Sequence, residues 1–141
     1  MYGQTSSGKT HTMKGYSTEK ISKAAGHNDS GLISLSVREI FEIANFNQNG
    51  SSRKFDISVS YIEIYNESVN DLIDPANKNL EVRESISNGI YINRLCEKKV
   101  ENFEEVIDWM NKGDEYRNIA ATKLNELSSR SHTVFRINIK S

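Results

Sequence analysis

The alternation of apolar and polar positions divides the chain into helices and strands. Gly3 to Thr10 is a glycine-bounded loop, and Lys9 to Met13 reads as the start of a helix. Residues 14–31 are polar and glycine-punctuated, as a surface loop is. Ile33, Val37, Ile40, Phe41 and Ala44 then recur at helical spacing, with Asp29 or Ser30 available as N-cap and Asn49-Gly50-Ser51-Ser52 as the break. Phe55, Ile57, Val59 and Tyr61 alternate with Asp56, Ser58 and Ser60, which predicts a half-buried strand. The apolar parity then moves to Ile62 and Ile64, so the strand either bulges there or is buried on both faces. Val69, Leu72 and Ile73 fit one short helical turn closed by Asp74-Pro75.

Short strands are expected between Leu80 and Val100, with Asn88-Gly89 as a tight turn between two of them. Asn102-Phe103-Glu104-Glu105 has the form of a capping box, in which Asn102 accepts from the first turn and Glu105 reaches back. Phe103, Val106, Ile107 and Met110 supply the buried stripe of the helix that follows, running towards Arg117. Residues 121–132 read as a polar connection, and Phe135, Ile137 and Ile139 alternate with Arg136, Asn138 and Lys140 in a last strand. Helices and strands in alternation imply an α/β layered fold.

Composition narrows the class. A chain of 141 residues is one domain's worth. Eighteen basic residues nearly balance nineteen acidic ones, which argues against a dedicated nucleic-acid or anionic-membrane surface. No apolar run approaches the roughly 18 residues of a membrane span, and no signal peptide opens the chain. Cys96 stands alone, so neither an intrachain disulfide nor a cysteine zinc cage is available, and it reads as a small buried strand residue. A soluble protein of the reducing cytosol is expected.

The chemistry lies at the two ends. Gly3-Gln4-Thr5-Ser6-Ser7-Gly8-Lys9-Thr10 matches the P-loop pattern. Its glycines let the backbone form a concave nest of N–H groups facing phosphate oxygens, and the following helix aims its positive end at them. Lys9 sets a charge on the outer phosphates, and the Thr10 hydroxyl is a hard oxygen ligand for Mg²⁺. Average usage produces this pattern by accident in on the order of one such chain in a few hundred. A P-loop normally follows a buried strand, yet only Met1 and Tyr2 precede Gly3, which suggests truncation.

Asn125-Glu126-Leu127-Ser128-Ser129-Arg130-Ser131-His132, alone, is a Ser-rich polar loop. Beside Gly3–Thr10 and His11-Thr12-Met13 it resembles switch I of kinesin motor domains, Asn-x-x-Ser-Ser-Arg-Ser-His. Between them, Ser60-Tyr61-Ile62-Glu63-Ile64-Tyr65-Asn66-Glu67 and Asn70-Asp71-Leu72-Ile73 resemble the central strand and short helix of the same family. Val134-Phe135-Arg136 and Tyr65-Asn66-Glu67 resemble its mitotic, centromere-associated subclass.

The resemblance implies a partial P-loop NTPase fold of the kinesin motor type, with central strands and flanking helices only. Residues 1–141 would be one partial motor domain, with the P-loop at 3–10 and switch I at 125–132. It also implies Mg²⁺-dependent ATP hydrolysis coupled to microtubules in the cytoplasm and cytoskeleton, the spindle among its sites. No nucleic acid and no membrane insertion are expected, and the full-length protein would dimerise through a coiled coil outside this chain.

By the same resemblance, Gly3, Gln4, Thr5, Ser6, Ser7, Gly8, Lys9 and Thr10 would hold the nucleotide, and His11 would lie near the adenine. Ser128 and Ser129 would approach the γ-phosphate, with Ser129 also joining Thr10 near Mg²⁺ and close to the attacking water. Asn125 would help close the switch. Arg130 would pair with a switch II glutamate. The family's upstream adenine-binding segment and its Asp-Leu-Ala-Gly-Ser-Glu switch II are not among these residues, so the 141 residues alone are expected to bind nucleotide weakly and to turn over negligibly. A non-catalytic module that keeps the pocket is the competing reading, and a myosin-like ATPase fits Gln4-Thr5-Ser6 and Ser131-His132 less well.

Other polar residues carry ordinary readings beside sharper ones. Glu63, Glu67 and Asp71 form either an acid–base or metal cluster or a solvated face, and the absence of histidine partners favours the latter. His27 reads as a surface residue and Trp109 as core or edge packing. Arg83, with Lys98 and Lys99, falls in the region that touches tubulin in kinesins, although exposed basic residues are common.

Overall fold

The computed structural model of the protein describes residues 7–15, 31–50, 54–87, 89–124 and 131–141, with the side chains of 46–50 and 121–124 outside the description. Two compact units divide the chain, Met1–Phe55 and Asp56–Ser141.

In the first unit, helix α1 (Lys9–Lys14) and helix α2 (Leu32–Gly50) lie in contact. The expected apolar stripe accounts for α2: Val37, Phe41 and Ala44 are buried on it, with Ile33 and Ile40 half-buried alongside. The helix ends at Gly50, inside the expected break, whereas Asp29, Ser30 and His27 lie outside the described residues.

Strand β1 (Asp56–Tyr65) is the spine of the second unit, in a four-stranded sheet whose pairings are all antiparallel. Strand β6 (Ser131–Lys140) lines one edge of β1 from end to end, Asp56 opposite Lys140 and Tyr65 opposite Ser131. The other edge is shared: β2 (Ser68–Asp71) pairs with Ile62–Tyr65, and β5 (Lys98–Lys99) with Ser58 and Val59. Strands β3 (Val82–Ser85) and β4 (Gly89–Ile92) form a separate hairpin in which Gly89, expected in the turn, instead opens β4 opposite Ser85, with Asn88 outside the described residues. Helix α3 (Phe103–Leu124) packs on β1 and buries Val106, Ile107 and Met110. Among the described residues no helix is long and apolar enough to cross a membrane.

The parity shift in β1 resolves as burial on both faces. Its register with β6 runs unbroken, so there is no bulge against that neighbour, and Val59, Tyr61 and Glu63 are as buried as Ser60 and Ile62. Ile62 belongs to a cluster with Val69 and Leu80, flanked by Ile64, Ile92 and Leu95. Tyr61 and Glu63 point the other way, to α3.

Three expectations need correction. The segment around Val69 is a strand followed by a turn, and the helical turn expected there is not formed. Asn66 and Glu67 take left-handed conformations (φ 47° and 62°), which suits a two-residue hairpin turn and folds β2 back on β1. The connection expected at 121–132 is shorter, because α3 continues to Leu124 and β6 begins at Ser131. Cys96 lies between β4 and β5, half-buried, and burial raises its thiol pKa.

The start of α3 follows the expectation closely. The Glu105 N–H donates to Asn102 Oδ1 at 2.9 Å, and Glu105 Oε2 reaches back to accept from the Glu101 N–H at 2.8 Å. The returning bond lands one residue upstream of the standard capping box.

Candidate functional site

Ser7 to His11 are the part of the phosphate loop that the structure describes; Gly3, Gln4, Thr5 and Ser6 lie outside the described residues. Gly8 sits in the left-handed region at φ 83°, ψ 7°, which a side chain disfavours by crowding its own backbone, so glycine suits this turn. Helix α1 starts at once with Lys9. The Gly8 carbonyl accepts from the Thr12 N–H at 2.9 Å and from Thr12 Oγ1 at 3.1 Å, which closes the first turn. Lys9 is half-buried with Nζ 3.5 Å from Ser7 Oγ, and Thr10 and His11 are exposed. The loop's last glycine therefore turns the chain so that the lysine and threonine enter the first turn of a helix.

At the other end, Asn125, Ser128, Ser129 and Arg130 lie outside the described residues, while Ser131 and His132 open β6. Ser131 is held from α3. Arg117 Nη2 donates to Ser131 Oγ at 2.8 Å, and Arg117 Nε donates to Glu63 Oε1 at 3.0 Å. The Glu63 side chain is 6% exposed and that of Arg117 21%, so this is a largely dehydrated ion pair. One turn earlier, Tyr61 Oη donates to Asp114 Oδ1 at 2.8 Å. Burial first, and then the Asp114 carboxylate, hold the Tyr61 phenol well above its ordinary pKa. The Tyr61 ring meets Phe135 of β6 edge-on at 5.2 Å.

Gly113 makes this approach possible. A Cβ there would fall 2.8 Å from Tyr61 Cε1, nearer still to Cδ1, and 3.2 Å from Leu72 Cβ.

The solvated-face reading of Glu63 and Asp71 is thereby corrected. Glu63 is buried against Arg117. Asp71, also buried, accepts from the Ile73 and Asp74 N–H groups through Oδ1 and from the Cys96 N–H through Oδ2, tying the end of β2 to the chain after β4. Only Glu67, on the hairpin turn, is exposed as expected, and no metal-binding group of three His, Cys, Asp or Glu occurs among the described residues. Trp109 is half-buried, with Lys112 Nζ 4.6 Å and Lys98 Nζ 5.5 Å from its ring centre. Arg83 is exposed on β3 and paired with Glu81, and Lys99 is exposed and paired with Asp56.

Residue-pattern reasoning missed Asp114, Arg117 and Gly113. The available signals were a carboxylate and a guanidinium one turn apart on the predicted helix, and a strand face that carries Tyr61, Glu63 and Tyr65 in succession.

Glycine turn, helix start and mixed layers of helix and sheet define a class, the P-loop type of α/β fold. The family model of the kinesin motor domain matches residues 1–141, and the chain belongs to that family. It is 41% identical over 140 residues to the kinesin-like protein KIN-7I of Oryza sativa subsp. japonica, covering 99% of this chain and 10% of that protein. Against chloroplastic KIN-7L of Arabidopsis thaliana the identity is 44%, over 99% of this chain and 13% of the relative. A solved structure of a fast kinesin superposes with a TM-score of 0.83 at 36% identity, covering 98% of this chain and 37% of that one. The chain thus spans about a tenth of the length of these curated relatives.

Proposed function

We propose that residues 1–141 form the nucleotide-binding part of a microtubule-based motor that hydrolyses ATP with Mg²⁺. The observation that carries this reading is the left-handed Gly8 leading directly into α1 at Lys9, in a chain that the kinesin motor family matches throughout. Gly3–Gly8 cradle the phosphates, Lys9 neutralises the outer ones, and His11 flanks the base. Phosphoryl transfer is mostly positioning and charge neutralisation, so neutral hydroxyls suit the remaining roles. Ser128 and Ser129 orient the attacking water, Asn125 helps close the segment, and Arg130 latches it to a partner glutamate. Thr10 and Ser129 would hold Mg²⁺, which when bound would supply charge stabilisation to the transferring phosphoryl group. The donor set fits it: Thr10 and Ser129 offer hard, neutral oxygens, and Mg²⁺ commonly takes few protein ligands beside phosphate and water.

The fast-kinesin structure, described in terms of its ATPase mechanism and its interactions with microtubules, supports the partner and the reaction. Relatives with mitochondrial and chloroplastic labels stand among the similar proteins, so the cytoskeletal location is proposed from the motor reading alone.

The test is Lys9→Ala in the protein at its natural length. Nucleotide affinity should fall at least about tenfold, because a charged hydrogen bond to phosphate of about 1.5–3 kcal/mol is lost. Unchanged ATP binding sinks the assignment of the pocket. Normal binding by the unmodified protein, without microtubule-stimulated phosphate release, favours a non-catalytic module.

A further inference from the structure

We propose that the outer face of α3 is a docking site for an acidic peptide segment of a partner protein, one that carries an apolar side chain beside its carboxylates. Trp109, Lys112, Tyr116 and Ile119 follow one another at helical spacing, so they share one face of the helix. Val106 and Met110 of the same helix are buried in the core, whereas Tyr116 is 45% and Ile119 55% exposed. Two large side chains with apolar surface thus stand where an amphipathic helix ordinarily carries polar ones. Lys98 joins the stripe from β5, where pairing with Val59 fixes its backbone. Lys112 Nζ lies 4.6 Å and Lys98 Nζ 5.5 Å from the centre of the half-buried Trp109 ring.

The charges select the occupant. Among the described residues neither ammonium group pairs with a carboxylate. Asp108 stands one turn before Lys112, the spacing at which such pairs commonly form, yet Lys112 lies over the ring instead. Asp56 is taken by Lys99, and Glu105 by the cap of α3. Two ammonium groups held against one indole repel each other, and a carboxylate within reach of both relieves that repulsion. Glu97, Asp108 and Glu115 are exposed, each next in sequence to a member of the site. They oppose a dense polyanion such as nucleic acid or an anionic membrane, but tolerate one or two carboxylates placed at the ring. Tyr116 and Ile119 add the apolar contact that favours a peptide over a small anion, and aromatic side chains are enriched at the centres of protein interfaces.

The experiment uses the natural-length protein and the fluorescence anisotropy of a labelled peptide of repeated Asp-Asp-Leu. The peptide should bind, more weakly as salt rises, and better than repeats of Asn-Asn-Leu or Asp-Asp-Ser. Lys112→Gln and Tyr116→Ser alter exposed side chains outside the core, and each should weaken binding about threefold or more. Trp109→Ala should remove most of the binding, whereas Trp109→Phe keeps a ring and should retain most of it. Lys98 is left unmodified, because its strand falls in the region likened to a tubulin contact. Microtubule affinity, measured in parallel, should be the same in Lys112→Gln and Tyr116→Ser as in the unmodified protein. No binding of the Asp-Asp-Leu peptide, equal binding of Asn-Asn-Leu, full affinity in Lys112→Gln and Tyr116→Ser, or a matching loss of microtubule affinity would overturn the proposal. Tighter binding of oligothymidine than of the peptide, lost in the same variants, would overturn it in favour of nucleic acid. The nucleotide pocket is tested separately by Lys9→Ala and does not depend on these outcomes.

Discussion

Gly113 offers a test in which two effects of known sign compete. It lies inside the long helix α3, where alanine is intrinsically better than glycine by about 0.8–1.0 kcal/mol. Propensity alone therefore predicts that Gly113→Ala stabilises. Packing predicts the reverse. The added carbon would stand 2.8 Å from Tyr61 Cε1 and 3.2 Å from Leu72 Cβ, against a comfortable carbon–carbon distance of about 3.5–4.0 Å. The helix must retreat or the ring must turn, by something approaching 1 Å.

Either movement has consequences on the page. Overpacking of this kind costs about 1–3 kcal/mol. Turning the ring also strains the 2.8 Å bond from Tyr61 to Asp114, and a hydrogen bond to a charged group contributes about 1.5–3 kcal/mol. Packing wins, with a net destabilisation of about 1–3 kcal/mol. The assay is urea-dependent hydrogen exchange at amides of β1 and α3 in the natural-length protein. With Tyr61→Ala in place the obstructing ring is gone, and Gly113→Ala should then cost much less or stabilise. A stabilising Gly113→Ala in the presence of Tyr61, or the same cost without it, would refute the packing account.

Tyr61 should also make the fold sensitive to alkali. Its phenol stays protonated in the folded state above the ordinary value of 10.0, so the unfolded chain ionises first. The contribution is complete below about pH 10 and is lost as pH rises beyond it, and Tyr61→Phe should flatten that part of the stability profile. Asn102→Ala removes the acceptor for the Glu105 N–H and should cost about 0.5–2 kcal/mol, read as faster exchange in the first turn of α3.

Local chemistry made part of the structure legible in advance. The capping box at Asn102, the α2 stripe through Val37 and Phe41, and the strand over Phe135–Ile139 each depend on residues close in sequence. The hairpin at Asn66-Glu67 was not legible, because only Asn66 hints at a left-handed turn and Glu67 argues against one. Glu63 was misread for a different reason. A carboxylate is buried only when a partner is present, and its partner Arg117 lies far along the chain on another element. The candidate site divides the same way. The Gly-x-x-x-x-Gly-Lys-Thr spacing announces itself, while the contact that anchors Ser131 depends on three elements meeting.

Those contacts also explain why α3 is fastened by polar bonds as well as apolar ones. Tyr61 and Glu63 are alternate residues of β1, about 7 Å apart along the strand; Asp114 and Arg117 are separated by about 4.5 Å along the helix. An apolar face would tolerate sliding or rotation of α3 over such distances. Two bonds to opposite ends of one strand segment tolerate neither, since a one-residue slip of β1 would carry both Tyr61 and Glu63 to the other face. The same pair of bonds therefore sets α3 over β1, and through Arg117 it also holds the first residue of β6. The chain between Leu124 and Ser131 leaves one post and returns to another that a single arginine ties to the central strand.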